Sequence, residues 1–110
     1  VNVPTITNGI ADENALPMEF SLSKNYPNPF NPTTTIEFAL PKAGEVKVVV
    51  FNTLGQKVRT LVSTTMSAGY YKSIWDSCDD FGKRVSSGMY FYRLEVDNKH
   101  ISTQKMLLLK

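Results

Sequence analysis

Three aspartates stand close together in one polar segment and are the first candidates for chemistry. Asp76, Asp79 and Asp80 precede Gly82, and carboxylate oxygens on a loop are the ligands that Ca²⁺ prefers. The spacing does not match the calcium-binding loop in which acidic residues alternate and a distal glutamate completes the set. Aspartates in such a segment also accept hydrogen bonds from the backbone amides of tight turns. We therefore predict a turn-forming loop over residues 76–82 that binds no metal.

A catalytic nucleophile would need Cys78 or a serine placed beside a base. The only histidine, His100, falls in a different predicted strand from the cysteine, and a single cysteine excludes an internal disulfide. The sequence contains no glycine-flanked nucleophilic serine motif, no glycine-rich phosphate loop and no pair of histidines at metal-binding spacing. These observations predict a protein that is not an enzyme and has no cofactor.

The composition is typical of one globular domain. The chain has 110 residues, and 42% hydrophobic residues are too many for a disordered tail. The 12 basic and 10 acidic residues give a formal net charge of +2, too small and too scattered to predict a nucleic-acid partner. No apolar run approaches the roughly 20 residues that span a bilayer, so no transmembrane segment is expected. Because the chain starts with Val1 rather than Met, we expect it to be part of a longer protein.

Apolar and polar residues alternate in short runs that are separated by turn signals, which predicts an all-β fold. Residues 1–16 are polar and aperiodic and are predicted to be a flexible linker from the parent protein, followed by one domain over residues 17–110. The stretch Tyr26–Pro32 contains three prolines and is predicted to be a stiff, specifically shaped loop. We predict a β-sandwich of about seven antiparallel strands, at residues 18–23, 33–40, 45–51, 57–62, 70–75, 89–96 and 100–109.

The same alternation predicts which side chains face the interior. Seven apolar or aromatic residues are expected between the two sheets, at Ile36, Phe38, Val48, Val50, Trp75, Tyr90 and Tyr92. If aromatic residues instead formed an exposed row, they would indicate carbohydrate binding by stacking on sugar rings.

Several segments in order along the chain resemble one family. They are Tyr26–Thr34, Val50–Val58, Trp75–Asp76, Val85–Leu94 and, at the end of the sequence, Lys105–Lys110. Together they resemble the type A C-terminal sorting domain of type IX secretion substrates, an immunoglobulin-like domain related to that of the flagellar hook-capping protein. The family usually has glycine after the Trp-Asp pair, where this chain has Ser77.

The resemblance implies a C-terminal secretion and sorting signal that directs a larger exported protein through the outer membrane. The parent would carry an N-terminal cargo domain and a signal peptide, and this domain would fold in the periplasm. The partners implied are the outer-membrane type IX machinery and a sortase-like peptidase. That peptidase would cleave in the linker, and the product would be secreted or anchored at the cell surface.

The recognition residues that we predict lie in two places. The first is the start of the penultimate strand, with Gly88 and Tyr90. The second is the end of the chain, with Lys105, Met106, Leu107, Leu108, Leu109 and Lys110. A terminal edge strand can be read by addition of a partner's strand. The same segment can also be explained as a last core strand whose lysines prevent edge aggregation. Recognition at the Pro27–Pro32 loop is a further possibility.

Two other functions remain open at this point. One is an accessory carbohydrate-binding or adhesive β-sandwich appended to a secreted hydrolase, which an exposed row of aromatic side chains would favour. The other is a purely structural immunoglobulin-like spacer, which an internal position in the parent protein would favour.

Overall fold

The computed structural model describes residues 15–110, which form strands and connecting loops. Within this part of the chain there is no helix with the length and apolar character needed to cross a membrane. The predicted linker over residues 1–16 lies almost entirely outside the described residues, so the boundary at residue 17 stays a prediction. The strands are β1 (Ser21–Leu22), β2 (Thr34–Leu40), β3 (Gly44–Phe51), β4 (Lys57–Met66), β5 (Gly69–Trp75), β6 (Gly88–Val96) and β7 (Lys99–Leu108).

The seven strands form two antiparallel sheets. One sheet has three strands in the order β1-β2-β5, and the other has four strands in the order β4-β3-β6-β7. Every strand pairing is antiparallel, and β3 and β4 form a hairpin. The predicted all-β sandwich of seven antiparallel strands is therefore confirmed.

Two strands differ from their predicted extents by more than one residue at an end. The first is reduced to Ser21 and Leu22, because these are the only residues of 18–23 with partners in the β1–β2 ladder, and Met18 is 93% exposed. The strand predicted to end at Val62 continues to Met66, because a run of serine and threonine keeps pairing with β3 as far as Gly44. Both differences arise from the pairing partner, which the local pattern does not contain.

The core lies between the sheets and follows the period-two alternation of the strands. In β6, for example, Tyr90, Tyr92, Leu94 and Val96 are buried while the residues between them are partly exposed. All seven side chains that the sequence predicts in the core are buried. They are Ile36, Phe38, Val48, Val50, Trp75, Tyr90 and Tyr92.

Trp75 connects the two sheets at one end of the core. Its ring centroid lies 5.7 Å from that of Phe30 in the proline-rich loop and 5.3 Å from that of Tyr90 in the opposite sheet. Its indole Nε1 donates a hydrogen bond of 2.9 Å to the carbonyl of Cys78. The tryptophan therefore fixes the positions of the proline-rich loop, the 76–87 loop and the start of β6 relative to one another.

Candidate functional site

The terminal segment alternates between core and surface. In β7 and just beyond it, Met106 and Leu108 point inward and are buried, whereas Lys105 is exposed and Leu107 is half-buried. Leu109 is 49% exposed. The segment thus contributes one face to the core and presents the other face to solvent. This geometry is compatible both with recognition by a partner and with a purely structural role.

The two predicted residues in β6 also differ in accessibility. Tyr90 faces the core, and its hydroxyl donates a hydrogen bond of 2.6 Å to the carbonyl of Ser86. Gly88 begins β6 opposite Leu108 and has a φ of 146°, a conformation that an L side chain rarely adopts. Of the predicted recognition residues, Tyr90, Met106 and Leu108 are therefore out of a partner's direct reach in the folded domain. The recognition role of the others stays a prediction.

The proline-rich loop holds the free edge of the terminal strand. The N–H of Phe30 donates to the carbonyl of Leu107, and the N–H of Leu109 donates to the carbonyl of Phe30, both at 3.0 Å. The Asn28 side-chain Oδ1 accepts the N–H of Leu107, also at 3.0 Å. Because the Phe30 side chain is buried beside Trp75, the loop is anchored in the core while its main chain pairs with the strand.

This arrangement limits how a partner could reach β7. The strand lies at the edge of its sheet, as recognition by strand addition requires. However, β6 occupies one side of it and Phe30 occupies the other side between Leu107 and Leu109. A partner strand could add at these residues only by displacing the loop, which leaves the outward side chains as the accessible feature.

The three regions that the sequence singles out meet at one end of the sandwich. The N–H of Lys110 donates to the Ser87 hydroxyl at 3.1 Å, Gly88 pairs with Leu108, and Phe30 pairs with Leu107 and Leu109. We call this end the C-terminal pole, defined by Phe30, Ser87, Gly88 and Leu107–Lys110. Recognition at the tail, at the proline-rich loop or near the glycine would therefore use the same surface.

The chain enters the described domain at the other end. Ser21 pairs with Ala39 near the end of β2, and the chain then runs along β2 until Tyr26 pairs with Thr35 near its start. Each strand residue advances about 3.3 Å, so the length of β2 separates the two ends by roughly 20 Å. Strand β1 therefore begins at the end of the sandwich opposite the terminal segment.

The outer face of the four-stranded sheet carries a row that sequence reasoning missed. Lys57 in β4 pairs with Phe51 in β3, Phe51 pairs with Phe91 in β6, and Phe91 pairs with Lys105 in β7. Both phenylalanines are half-buried, and the two lysines are exposed. We call these four residues the outer row. In β3, β6 and β7 the alternation of side chains was the available signal. In β4 the register shifts beside Val49 and Phe51, so only the tertiary structure places Lys57 next to the two phenylalanines.

A second cationic group lies next to the outer row. The guanidinium carbon of Arg93 is 4.5 Å from the ring centroid of Phe51, within the range of a cation–π contact. The Arg93 guanidinium also pairs with the Glu95 carboxylate at 2.7 Å. The guanidinium of Arg93 therefore already contacts both the Phe51 ring and the Glu95 carboxylate, whereas the lysines of the outer row form no ion pair among residues 15–110.

The aspartates of the 76–82 loop accept backbone hydrogen bonds. The Asp79 Oδ1 accepts the N–H groups of Phe81 at 2.9 Å and Lys83 at 3.0 Å, and the Asp80 Oδ1 accepts the N–H of Thr60 at 3.0 Å. The loop is therefore built of turns, as predicted. Across residues 15–110 no cluster of three or more His, Cys, Asp or Glu residues is placed to hold a metal ion. That the loop binds no metal stays a prediction.

Ser77 occupies a position that requires left-handed backbone. It has a φ of 68° and is fully buried, and its hydroxyl donates a hydrogen bond to the carbonyl of Pro32. Its own carbonyl accepts the N–H of Val85 at 2.9 Å. Glycine, which the resembling family usually has here, adopts such a φ without steric cost. The serine instead uses its hydroxyl to tie the loop to the proline-rich segment.

The candidate nucleophile and base are far apart in the fold. Cys78 lies in the loop at the C-terminal pole, where it forms a bridge with Arg84. His100 lies near the start of β7, opposite Glu95, and its Nε2 is 2.9 Å from the Thr103 hydroxyl. The two residues therefore do not form a catalytic pair.

The sequence profile of the FlgD Ig-like domain matches residues 25–100, which is more than half of the chain. The chain belongs to the FlgD Ig-like domain family. The matched region of this Ig-like domain ends before Lys105, so family membership by itself says nothing about the terminal segment. No curated protein matches the chain.

Three solved structures are similar to this Ig-like domain. Dimeric latent PorU from Porphyromonas gingivalis superposes with a TM-score of 0.69 at 18% identity, over 94% of this chain and 10% of PorU. FlgD from P. aeruginosa gives 0.56 at 22% identity, over 73% of this chain and 70% of FlgD. PorZ of P. gingivalis, an essential bacterial surface component of the type IX secretion system, gives 0.52 at 20% identity, over 83% of this chain and 11% of PorZ.

These structural similarities establish the fold. The identities of 18–22% are too low to carry a function from one protein to another. In addition, this Ig-like domain spans only about a tenth of the PorU and PorZ chains that it resembles.

Proposed function

We propose that this Ig-like domain is a non-catalytic C-terminal sorting domain, which directs a larger exported protein through the outer membrane by the type IX secretion system. The observation that carries the proposal is that the main chain of the terminal segment is fixed while several of its side chains are exposed. Its main chain is held between β6 and Phe30, while the side chains of Lys105, Leu107 and Leu109 face outward. A rigid, exposed segment of this kind can be read by a partner without any change in the domain.

The positions of β1 and of the terminal segment support this function. Ser21 enters beside Ala39, and the terminal segment lies at the opposite pole beside Phe30. A cargo domain preceding this domain would therefore leave the C-terminal pole free for the secretion machinery. One sorting domain could then serve cargoes of different shape.

The comparisons support the same proposal from a second direction. PorZ, which contains a similar domain over 11% of its chain, is an essential surface component of the type IX secretion system. The ordered motifs from Tyr26 to Lys110 resemble the sorting domains of substrates of that system. We propose periplasmic transit, cleavage by a sortase-like peptidase in the preceding linker, and a product that is released or anchored at the surface.

Carbohydrate binding is the less well supported alternative. Three aromatic side chains that an exposed sugar-binding row would require at the surface, Trp75, Tyr90 and Tyr92, are buried in the core. They cannot form an exposed platform that stacks on sugar rings. No specific contact among residues 15–110 favours this function over the sorting function.

A reporter fusion tests the proposal. The domain is placed at the C-terminus of a reporter that carries a signal peptide, in a host with a compatible type IX system. The wild-type fusion is expected outside the cell. The double variant Lys105→Ala/Lys110→Ala is expected to stay in the periplasm while its thermal melt is unchanged, because surface substitutions alter stability by less than about 0.5 kcal/mol.

A matched control uses two lysines at the other pole. Lys42 and Lys99 are exposed; Lys42 lies between β2 and β3, and Lys99 is the first residue of β7. The double variant Lys42→Ala/Lys99→Ala therefore makes the same change in charge away from the C-terminal pole. This control is expected to export normally. If the wild-type fusion remained in the periplasm while a sorting domain native to the host exported the same reporter, the proposed function would be wrong.

A further inference from the structure

The outer row combines two aromatic rings with two flanking positive charges. From one side of the sheet to the other, its order is Lys57, Phe51, Phe91 and Lys105, one residue on each strand. Adjacent strands lie about 4.8 Å apart, so the backbone positions of the two lysines are separated by roughly 14 Å. The row crosses the strands at right angles and lies beside the C-terminal pole.

Neither lysine of the outer row forms an ion pair within the part of the chain that the structure describes. Among residues 15–110, the ion pairs within 4.0 Å are those of Arg59 with Asp76 and of Arg93 with Glu95. Beside the row, the positive charge of Arg93 is balanced by the negative charge of Glu95. The charges of Lys57 and Lys105 are not balanced in this way, so the row carries an excess of positive charge. A partner that covered the row would therefore gain by supplying carboxylates at its two ends.

The spacing specifies the form of that partner. An extended segment advances about 3.3 Å per residue, so two acidic residues four positions apart are separated by roughly 13 Å, close to the separation of the lysines. Residues i, i+2 and i+4 of an extended segment point to the same side. A segment with acid, apolar residue and acid at these positions would place its apolar side chain over Phe51 and Phe91.

We propose that the outer row is a docking site for an extended acidic segment of a protein of the secretion machinery, with an apolar residue between two carboxylates. The inference rests on the proposed sorting function and deepens it, because Lys105 belongs both to the terminal segment and to the row. It adds Lys57, which lies in another strand and far from the terminal segment in the sequence. Recognition is therefore set by the assembled sheet as well as by the terminal residues.

Direct binding is tested by NMR titration of the ¹⁵N-labelled 110-residue chain. The probe is a synthetic peptide that carries two glutamates four positions apart with a leucine midway between them. Its control is the same peptide with both glutamates replaced by lysines. The acidic peptide is expected to shift the amides of the outer row, and the basic peptide is expected to shift none of them.

Purified lipopolysaccharide is a third probe in the same titration, because its phosphates could also neutralise the lysines. The proposal is supported if the acidic peptide shifts the amide resonances of the outer row and lipopolysaccharide does not. Shifts with lipopolysaccharide alone overturn it in favour of a surface glycolipid. The absence of shifts with every probe also overturns it.

Export of the reporter fusion tests the role of Lys57 while the terminal segment stays unchanged. Lys57→Met removes the charge and keeps the aliphatic stem, and it is expected to reduce export about tenfold, as roughly 1.4 kcal/mol of lost binding energy would. Lys57→Arg keeps the charge and is expected to export normally. The control Lys99→Met, at the opposite pole, is also expected to export normally, and thermal melts establish that each variant is folded.

The outcomes separate this inference from the proposed function. If the wild-type domain exports its reporter and Lys57→Met exports equally well, the docking site is wrong and the sorting function stands. If the acidic peptide shifts the amide resonances of the outer row but the wild-type domain does not export its reporter, the sorting function is wrong. The assignment of the partner to the secretion machinery is then wrong as well.

Discussion

The main-chain N–H of Phe30 donates a hydrogen bond of 3.0 Å to the carbonyl oxygen of Leu107, which joins residues 77 positions apart in the chain. The Phe30 side chain is buried, so the hydrogen bond connects the terminal strand directly to the core. The segment proposed as the sorting signal is thereby part of the folded domain and not a loose tail. Its presentation depends on the proline-rich loop.

The side-chain contact next to this hydrogen bond is tested by changing Asn28. The N–H of Leu107 points away from β6 and donates to the Asn28 Oδ1 at 3.0 Å. Asn28→Ala removes this acceptor and is expected to cost about 1 kcal/mol at the end of the strand. Amide hydrogen exchange at Leu107 should therefore become faster. Asn28→Asp keeps an acceptor oxygen and should retain protection, and unchanged exchange in the alanine variant would show that the contact does not form.

The structural role of Trp75 is tested by truncation. Because its ring is fully buried and contacts Phe30 and Tyr90, Trp75→Ala is expected to reduce the free energy of unfolding by about 3–5 kcal/mol. Phe81→Ala is the control, since that ring is 89% exposed and should contribute less than about 0.5 kcal/mol. Urea denaturation measures both values. Equal effects of the two substitutions would place the tryptophan outside the core.

The left-handed backbone at Ser77 predicts an unusual order of stabilities. Ser77→Ala loses the hydrogen bond to the Pro32 carbonyl and keeps a side chain at a φ of 68°, so it is expected to be destabilised by about 1–3 kcal/mol. Ser77→Gly loses the same hydrogen bond but removes a steric cost of roughly 1 kcal/mol. Chemical denaturation should therefore give the order serine, glycine, alanine. An alanine variant more stable than the glycine variant would disprove the backbone argument.

Tyr92 predicts a loss of stability at high pH. Burial raises the pKa of Tyr92 to about 12 from 10.0, and its hydroxyl donates a hydrogen bond of 2.6 Å to the carbonyl of Ser23. As the pH rises from about 10 to about 12, the unfolded chain loses this proton while the folded domain keeps it. The free energy of unfolding should therefore fall with pH in this window. The fall should be shallower in Tyr92→Phe, and parallel pH profiles of the two proteins would contradict the raised pKa.

Much of the fold was predictable because it depends on local patterns. Alternation within each strand placed Ile36, Phe38, Tyr90 and Tyr92 in the core, and the structure confirms each of them. The position of the proline-rich loop was predictable as well, since three prolines within a few residues exclude a helix or a central strand. In contrast, the extension of β4 to Met66 depends on continued pairing with Gly44, which no local window contains.

The candidate site was only partly predictable for the same reason. The sequence indicated Lys105–Lys110, the proline-rich loop and Gly88 as separate possibilities. The fold brings Leu107–Lys110, Phe30 and Gly88 together at the C-terminal pole. It also buries Met106 and Leu108, which a partner therefore cannot contact directly. The outer row was missed because Lys57 and Lys105 become neighbours of the same two rings only through the strand order β4-β3-β6-β7.

The sequence by itself determined the all-β class, the number of strands and the sides of β2, β3 and β6 that face the core. These properties follow from a repeat of two residues within a single strand, where neighbouring side chains point to opposite faces of the sheet. Only the tertiary structure decided that Phe30 holds Leu107 and that Lys57 aligns with Lys105. Such relationships depend on which strands pair and in what register, and these are set by burial over the whole core and not by the residues of any one segment.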